Sequence, residues 1–141
     1  MRTTTANSLS RVFEREIERF VEATAGTHQL LYRNRRHNQR QHRDCPLLVV
    51  RLDVQSAGDI AGTLCDISDT GLGFLCDAGF RVGTLLGVKL FWSDVCSPRV
   101  PAIVRHCEIH PEGFLIGAEF AVGDPRACMA AEKTSSSRWY G

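Results

Sequence analysis

The sequence predicts an all-β domain, a six-stranded antiparallel barrel with one helix before it and one after it. Three observations predict this fold. From Pro46 onward, short apolar runs are separated by Gly, Asp and Pro, which is typical of strands joined by tight turns. The links between these runs are too short for the helical crossovers that a parallel sheet needs. The length of 141 residues fits one domain with an appended helix, and a composition that is 43% hydrophobic excludes wholesale disorder.

The first predicted element is an amphipathic helix over Ser8 to about Ala25. Ser8 or Ser10 is a candidate N-cap, and Gly26 follows where such a helix would end. Because one apolar stripe must be buried somewhere, we favour a helix packed on its own domain, with a dimerising or partner-docking helix as the alternative. The stripe has three- and four-residue spacing and consists of Leu9, Val12, Phe13, Ile17, Phe20 and Val21.

The barrel itself is predicted from six apolar runs in about 75 residues. Links such as Gln55–Gly58 and Pro111–Glu112 are short enough to join antiparallel neighbours. The predicted strands are Leu47–Val54, Asp59–Asp66, Gly71–Cys76, Thr84–Trp92, Arg99–His110 and Gly113–Phe120.

The last stretch, from Asp124, predicts a short helix followed by a frayed, flexible tail. The chain then divides into a helical extension over residues 1–31, a barrel with an N-terminal arm over residues 32–123, and the short helix and tail over residues 124–141.

Arginine is the dominant cation of this chain, with 15 Arg against 2 Lys at a net charge of +1. Its planar fork of donors matches phosphates and base edges better than a lysine ammonium does. Residues 32–43 hold a third of these arginines and no acid. We therefore predict an anion-binding arm just before the barrel, formed by Arg33, Arg35, Arg36, Arg40 and Arg43.

A second motif, the DISDTG sequence of Asp66–Gly71, lies between two predicted strands. Its simplest interpretation is a hairpin corner, since Asp and Ser favour turns and Gly71 can take a positive φ. In the functional interpretation, the Asp66 carboxylate accepts from a guanine N1/N2 edge or fixes an arginine. The Ser68 hydroxyl then bonds a phosphate or a base.

Together the two motifs resemble the PilZ family, bacterial receptor domains for the dinucleotide second messenger cyclic di-GMP. Arg36–Arg40 matches the RxxxR arm of that family, and Asp66–Gly71 matches its [D/N]xSxxG turn. The Leu-Gly-Phe after the turn and the closing Ile116–Phe120 are also similar, so the resemblance covers about residues 33 to 122. It implies a six-stranded barrel flanked by helices, with a ligand held between the arm and one barrel face.

The resemblance also implies roles for individual residues. Arg36 and Arg40 would contact phosphates and guanine Hoogsteen edges. Asp66 and Ser68 would contact a guanine, and Gly71 would shape the turn.

The spacing after the arm departs from that of many members. There the second motif arginine stands almost directly before the first strand, whereas Gln41–Cys45 separates Arg40 from the strand here. The register of the arm can therefore differ, which makes Arg35 and Arg43 secondary ligand-binding candidates.

Cyclic di-GMP binding is the leading hypothesis for function, with closure of the arm onto the barrel as the signal to a downstream protein partner. The alternative is a PilZ-like protein-interaction module that does not bind nucleotide, including a homodimer formed through the N-terminal helix. Binding of single-stranded nucleic acid is disfavoured because Lys and clustered aromatic residues are scarce. No catalytic motif is recognisable, so neither an enzyme nor a cofactor is expected.

Six cysteines lie far apart without a CxxC pair, which predicts small buried hydrophobes rather than a metal or redox site. His106 and His110 are expected to be structural, since their spacing on a strand does not make a compact zinc pair. The N-terminus has no apolar leader and no run is long enough to span a membrane, so we expect a cytoplasmic protein.

Overall fold

The computed structural model describes residues 2–24, 45–54 and 57–140. It confirms the predicted fold class, because six antiparallel strands close into a barrel between two helices. The elements in chain order are α1 (Arg2–Ala23), β1 (Pro46–Arg51), β2 (Ile60–Ile67), β3 (Gly71–Cys76), β4 (Leu85–Lys89), β5 (Arg99–His110), β6 (Gly113–Phe120) and α2 (Pro125–Tyr140).

The strands follow the order β1-β2-β3-β6-β5-β4 around the barrel, and β4 closes it by pairing with β1. The interior is filled by side chains that alternate with outward-facing ones, as small barrels require. Helix α2 packs against β5 and β4, and helix α1 packs against α2 and β5. Large interior residues with essentially no solvent exposure include Leu47, Leu64, Phe74, Leu86, Val88, Val100 and Ile116.

Strands β3, β5 and β6 have the bounds that the sequence predicts, whereas β1 and β4 are shorter than predicted. The chain leaves β4 after Lys89 and turns, with the Asp94 N–H donating to the Phe91 carbonyl at 3.1 Å. Trp92 lies in this loop and is 51% exposed, although aromatic residues generally favour strands.

Two β-bulges interrupt the sheet, and neither was predicted. In β2 the register with β3 shifts between Leu64 and Asp66, and in β5 the register with β6 shifts between Val104 and His106. A bulge adds one residue to its strand and re-aims the side chains that follow it. The two bulges thus set which side chains of β2 and β5 face outward at the same level of the barrel.

Helix α1 packs on its own barrel, as the favoured interpretation of its apolar stripe predicts. Phe13, Ile17 and Phe20 are buried and belong to the main hydrophobic core. The helix begins at Arg2, so the predicted caps Ser8 and Ser10 lie inside it instead of at its start.

An acidic residue that the pattern assigns to the polar face of α1 is buried instead. Glu16 is 6% exposed and accepts hydrogen bonds from the Ser97 hydroxyl and from Arg19, whose Nη2 lies 2.9 Å from Oε1. The Arg19 guanidinium also lies 4.0 Å from the centroid of the Phe91 ring. These contacts fasten α1 to the loop between β4 and β5.

The last helix, α2, buries Ala127, Cys128 and Ala131 against the barrel core. Its backbone remains helical through Tyr140, whereas the sequence predicts fraying after a short helix. The small side chains let the helix approach the strands closely.

Cys96 is expected to be the first cysteine alkylated when folded protein meets iodoacetamide at mildly alkaline pH. It is exposed in the loop after β4, contrary to the expectation that all six cysteines are buried. Burial raises the pKa of the Cys76 and Cys128 thiols, so these two carry less reactive thiolate at a given pH. Peptide mass spectrometry after brief labelling measures this order, and denatured protein is the control in which all six react. Cys76 reacting as fast as Cys96 in folded protein would contradict the packing of β3.

Candidate functional site

A groove of about 500 Å³ lies on the outer face of β2, β3, β6 and β5, next to the turn between β2 and β3. It has a carboxylate on one side, and a guanidinium, an imidazole and a second carboxylate on the other. The polar or glycine residues that line it are Asp66, Ser68, Thr70 and Gly71 from the turn region, Arg105 and His106 from β5, and Gly117 and Glu119 from β6.

One row of residues crosses four adjacent strands beside this groove. Asp66 pairs with Gly73, Gly73 with Gly117, and Gly117 with His106. Neighbouring strands lie about 4.8 Å apart, so the backbones of Asp66 and His106 are separated by about 14 Å along the sheet. The two central positions carry no side chain, which leaves a flat backbone floor between an acid and an imidazole.

The outer residues of the row lean over this floor. A Cβ atom added at Gly73 would lie 2.9 Å from Asp66 Oδ1, and one added at Gly117 would lie 3.4 Å from the Cβ of His106. The carboxylate of Asp66 therefore extends across the neighbouring strand. Each glycine makes room for the side chain next to it, so the Asp66 carboxylate and the His106 ring lie over the floor from its two ends.

The turn between β2 and β3 is the hairpin corner that the second motif predicts. The Ser68 N–H donates to the Gly71 carbonyl at 2.9 Å, which closes the hairpin. The Ser68 hydroxyl lies 3.0 Å from Thr70 Oγ1 and accepts from the Thr70 N–H at 3.3 Å. The Phe120 N–H donates to the Thr70 carbonyl and ties the turn to β6. The serine side chain is thus held at the edge of the groove.

Gly71 is required at this turn for a different reason from the predicted one. Its φ is not positive; among the residues the structure describes, only Gly83 and Gly113 have glycine backbones in that region. A Cβ atom at Gly71 would lie 2.5 Å from the Ala118 carbonyl oxygen, much closer than a real contact allows. The glycine permits close approach of β3 to β6.

One exposed ion pair and one exposed histidine–carboxylate contact lie on the β5 side of the groove. Arg105 donates to Glu119 Oε1 from Nε at 3.2 Å and from Nη2 at 2.9 Å. His106 Nε2 lies 2.8 Å from Glu108 Oε1. With Asp66 opposite, the described walls hold two carboxylates, Asp66 and Glu119, against the single permanent cation Arg105.

The structure brings three of the seven predicted ligand-binding residues together. Asp66, Ser68 and Gly71 line one groove, on one side of the row. The other four, the arginines of the arm, lie outside the described residues. They are Arg35, Arg36, Arg40 and Arg43.

Sequence reasoning did not select the residues of β5 and β6 that complete the groove. Arg105 and His106 stand side by side as the first polar residues after the apolar run Val100–Val104, and the register of β5 with β6 shifts at this point. His106 and His110 were interpreted only as a pair with the wrong spacing for zinc. Within residues 2–24, 45–54 and 57–140, no group of three or more His, Cys, Asp or Glu side chains is placed to hold a metal ion.

Comparison with known proteins gives one match. A family model described as "PilZ domain" matches residues 34–132, well over half of the chain. This range includes both predicted motifs and all six strands. No curated protein matches the chain. Across the part of the chain that the structure describes, neither helix combines the length and the apolar character needed to cross a membrane.

Proposed function

Because the chain belongs to the PilZ domain family, we propose that it is a receptor for cyclic di-GMP and that the ligand binds in the groove beside the β2–β3 turn. The observation that carries this proposal is the row Asp66, Gly73, Gly117 and His106, a flat floor between an acceptor and an imidazole. Such a receptor acts in the bacterial cytoplasm, where ligand binding changes its contact with a downstream protein partner.

A guanine has a donor edge, N1–H and N2–H, and an acceptor edge, O6 and N7. The Asp66 carboxylate leans over the floor and suits the donor edge, since an ionised carboxylate only accepts hydrogen bonds. The base then lies in the groove with its donor edge towards Asp66. Ser68 stands at the edge of the same groove, where its hydroxyl can bond a phosphate or the base.

The phosphates need more positive charge than the described groove walls provide. Two carboxylates and one guanidinium give these walls a net negative charge, which repels a ligand with two phosphate charges. The Arg-rich arm of residues 32–43, shortly before β1, holds the largest cluster of positive charge in the sequence. We therefore assign the phosphates to Arg36 and Arg40, with Arg35 and Arg43 as secondary contacts, and infer that the arm closes onto the barrel when ligand binds.

Calorimetric titration with cyclic di-GMP tests this assignment. We expect binding by the wild type and an affinity about 10- to 100-fold lower for Asp66→Asn, which keeps the size of the side chain but loses a charged acceptor. Arg36→Ala and Arg40→Ala should each lower the affinity by about 100-fold or more. Arg11→Ala, which removes an exposed arginine of α1, is the matched control and should bind normally.

Cyclic di-AMP is the ligand control, because adenine lacks the N1–H and N2–H donors that Asp66 is proposed to read. The wild type should prefer cyclic di-GMP, and Asp66→Asn should narrow that preference. A wild type that gives no heat with cyclic di-GMP would contradict the receptor assignment. The chain would then be better described as a PilZ protein-interaction module without a nucleotide.

A further inference from the structure

The Arg105–Glu119 ion pair lies in the wall of the groove and has no role in the assignment above. Arg105 is 56% exposed and Glu119 is 58% exposed, so solvent and ligand reach both side chains. Arg105 owes its outward direction to the bulge in β5, where Val104 is buried and the next two residues face out. The protein thus places a guanidinium on the outer face of the barrel beside the floor of the groove.

The way this pair is formed matters for binding. Nε and Nη2 of Arg105 both donate to the same oxygen, Oε1 of Glu119. That edge of a guanidinium is one that binds a phosphate, or the O6 and N7 atoms of guanine, with two hydrogen bonds. A ligand can use it fully only after the carboxylate has moved away.

Glu119 is also close to the second motif. It pairs with Gly71 across β3 and β6, so its side chain stands next to the backbone of the motif glycine. A carboxylate at this position repels an approaching phosphate. The attachment to Arg105 is weak, because exposed ion pairs contribute little to stability, and a ligand group can therefore replace it.

We propose that Arg105 is an additional ligand contact, and that Glu119 competes with the ligand for its donor edge and so lowers the affinity of the groove. The proposal rests on the proposed function for the identity of the ligand. Arg105 and Glu119 lie outside the two sequence motifs and together set the affinity of the groove.

Glu119→Gln is the central variant, since it keeps the size of the side chain and removes the charge that holds Arg105. We expect it to bind cyclic di-GMP about three- to tenfold more tightly than the wild type. Arg105→Ala should bind about tenfold more weakly. When Glu119→Gln is combined with Arg105→Ala, it should raise the affinity for cyclic di-GMP little or not at all. The guanidinium that Glu119→Gln frees for the ligand is absent from this double variant.

Asp53→Asn is the matched control. It also removes one negative charge and one exposed ion pair, Arg51 to Asp53 at 3.1 Å, and these residues do not line the groove. Its affinity should equal that of the wild type. An equal gain from Glu119→Gln with and without Arg105 would overturn the proposal in favour of simple charge repulsion. A Glu119→Gln variant that binds more weakly than the wild type would overturn it too, because Glu119 would then be a ligand contact itself.

A second titration, with inorganic pyrophosphate, separates this proposal from the receptor assignment. Pyrophosphate supplies phosphate groups without guanine, and the Arg105 Nε–H resonance in ¹⁵N NMR spectra reports whether they reach this side chain. We expect pyrophosphate to cause a larger chemical-shift change of the Arg105 Nε–H resonance in Glu119→Gln than in the wild type. If the wild type does not bind cyclic di-GMP, the receptor assignment fails. The pyrophosphate comparison still shows whether Glu119 competes with a phosphate ligand for Arg105. Equal responses of the two proteins to pyrophosphate would overturn it.

Discussion

Gly71→Ala is expected to lower the free energy of unfolding by about 3 kcal/mol and the Tm by about 10 °C. The added Cβ would lie 2.5 Å from the Ala118 carbonyl oxygen. Both atoms belong to the backbone framework of paired strands, so no side-chain rotation relieves the contact. Strand β3 must move away from β6, which disturbs the floor of the groove. Urea unfolding monitored by circular dichroism measures the loss, and calorimetry with cyclic di-GMP measures its effect on binding.

Two other glycines provide controls for this substitution. In Gly73→Ala the added Cβ meets the end of the Asp66 side chain, which can rotate, so stability should change by less than about 1 kcal/mol. Ligand affinity should nevertheless fall about tenfold, because the carboxylate is displaced from its place over the floor. Gly123→Ala has nothing within 4 Å of the new atom and should change neither property. Equal stability of the Gly71→Ala and Gly123→Ala variants would contradict the close approach of β3 and β6.

The glycines also show how far the sequence predicts the site. The DISDTG motif identified the turn because short polar residues and a glycine between two apolar runs have a local cause. The partners of that turn on β5 and β6 depend on strand order, and pairing of β3 with β6 is not encoded locally. Gly117 belongs to the Ile116–Phe120 segment that resembles the family, but its place in the floor follows only from its register with Gly73.

The bulges explain why the sequence does not predict that Asp66 and His106 lie in one row. In a regular strand, every second side chain points to the same face of the sheet. A bulge inserts one residue and so changes which face the residues after it point to. Asp66 and His106 each follow such a shift, so alternation alone does not place them in one row. Burial of Glu16 was missed for a similar reason. Helical periodicity does not show that Glu16 is buried. Hydrogen bonds from the Ser97 hydroxyl, on a loop distant in sequence, and from Arg19 make a carboxylate acceptable at this position.

Phe13→Ala is expected to lower the free energy of unfolding by about 3 to 5 kcal/mol. The ring is 1% exposed and packs in the main core with Ile17 and Phe20, so its removal leaves a cavity between α1 and the barrel. Val12→Ala is the matched control on the same helix. Val12 is 48% exposed, and its truncation should change the free energy of unfolding by about 0.5 kcal/mol or less.

The dependence on protein concentration decides between the two interpretations of the α1 stripe. If α1 is part of its own domain, the loss in Phe13→Ala is the same at every protein concentration. If the stripe instead joined two copies, the wild type would become more stable as its concentration rises, and Phe13→Ala would remove that dependence.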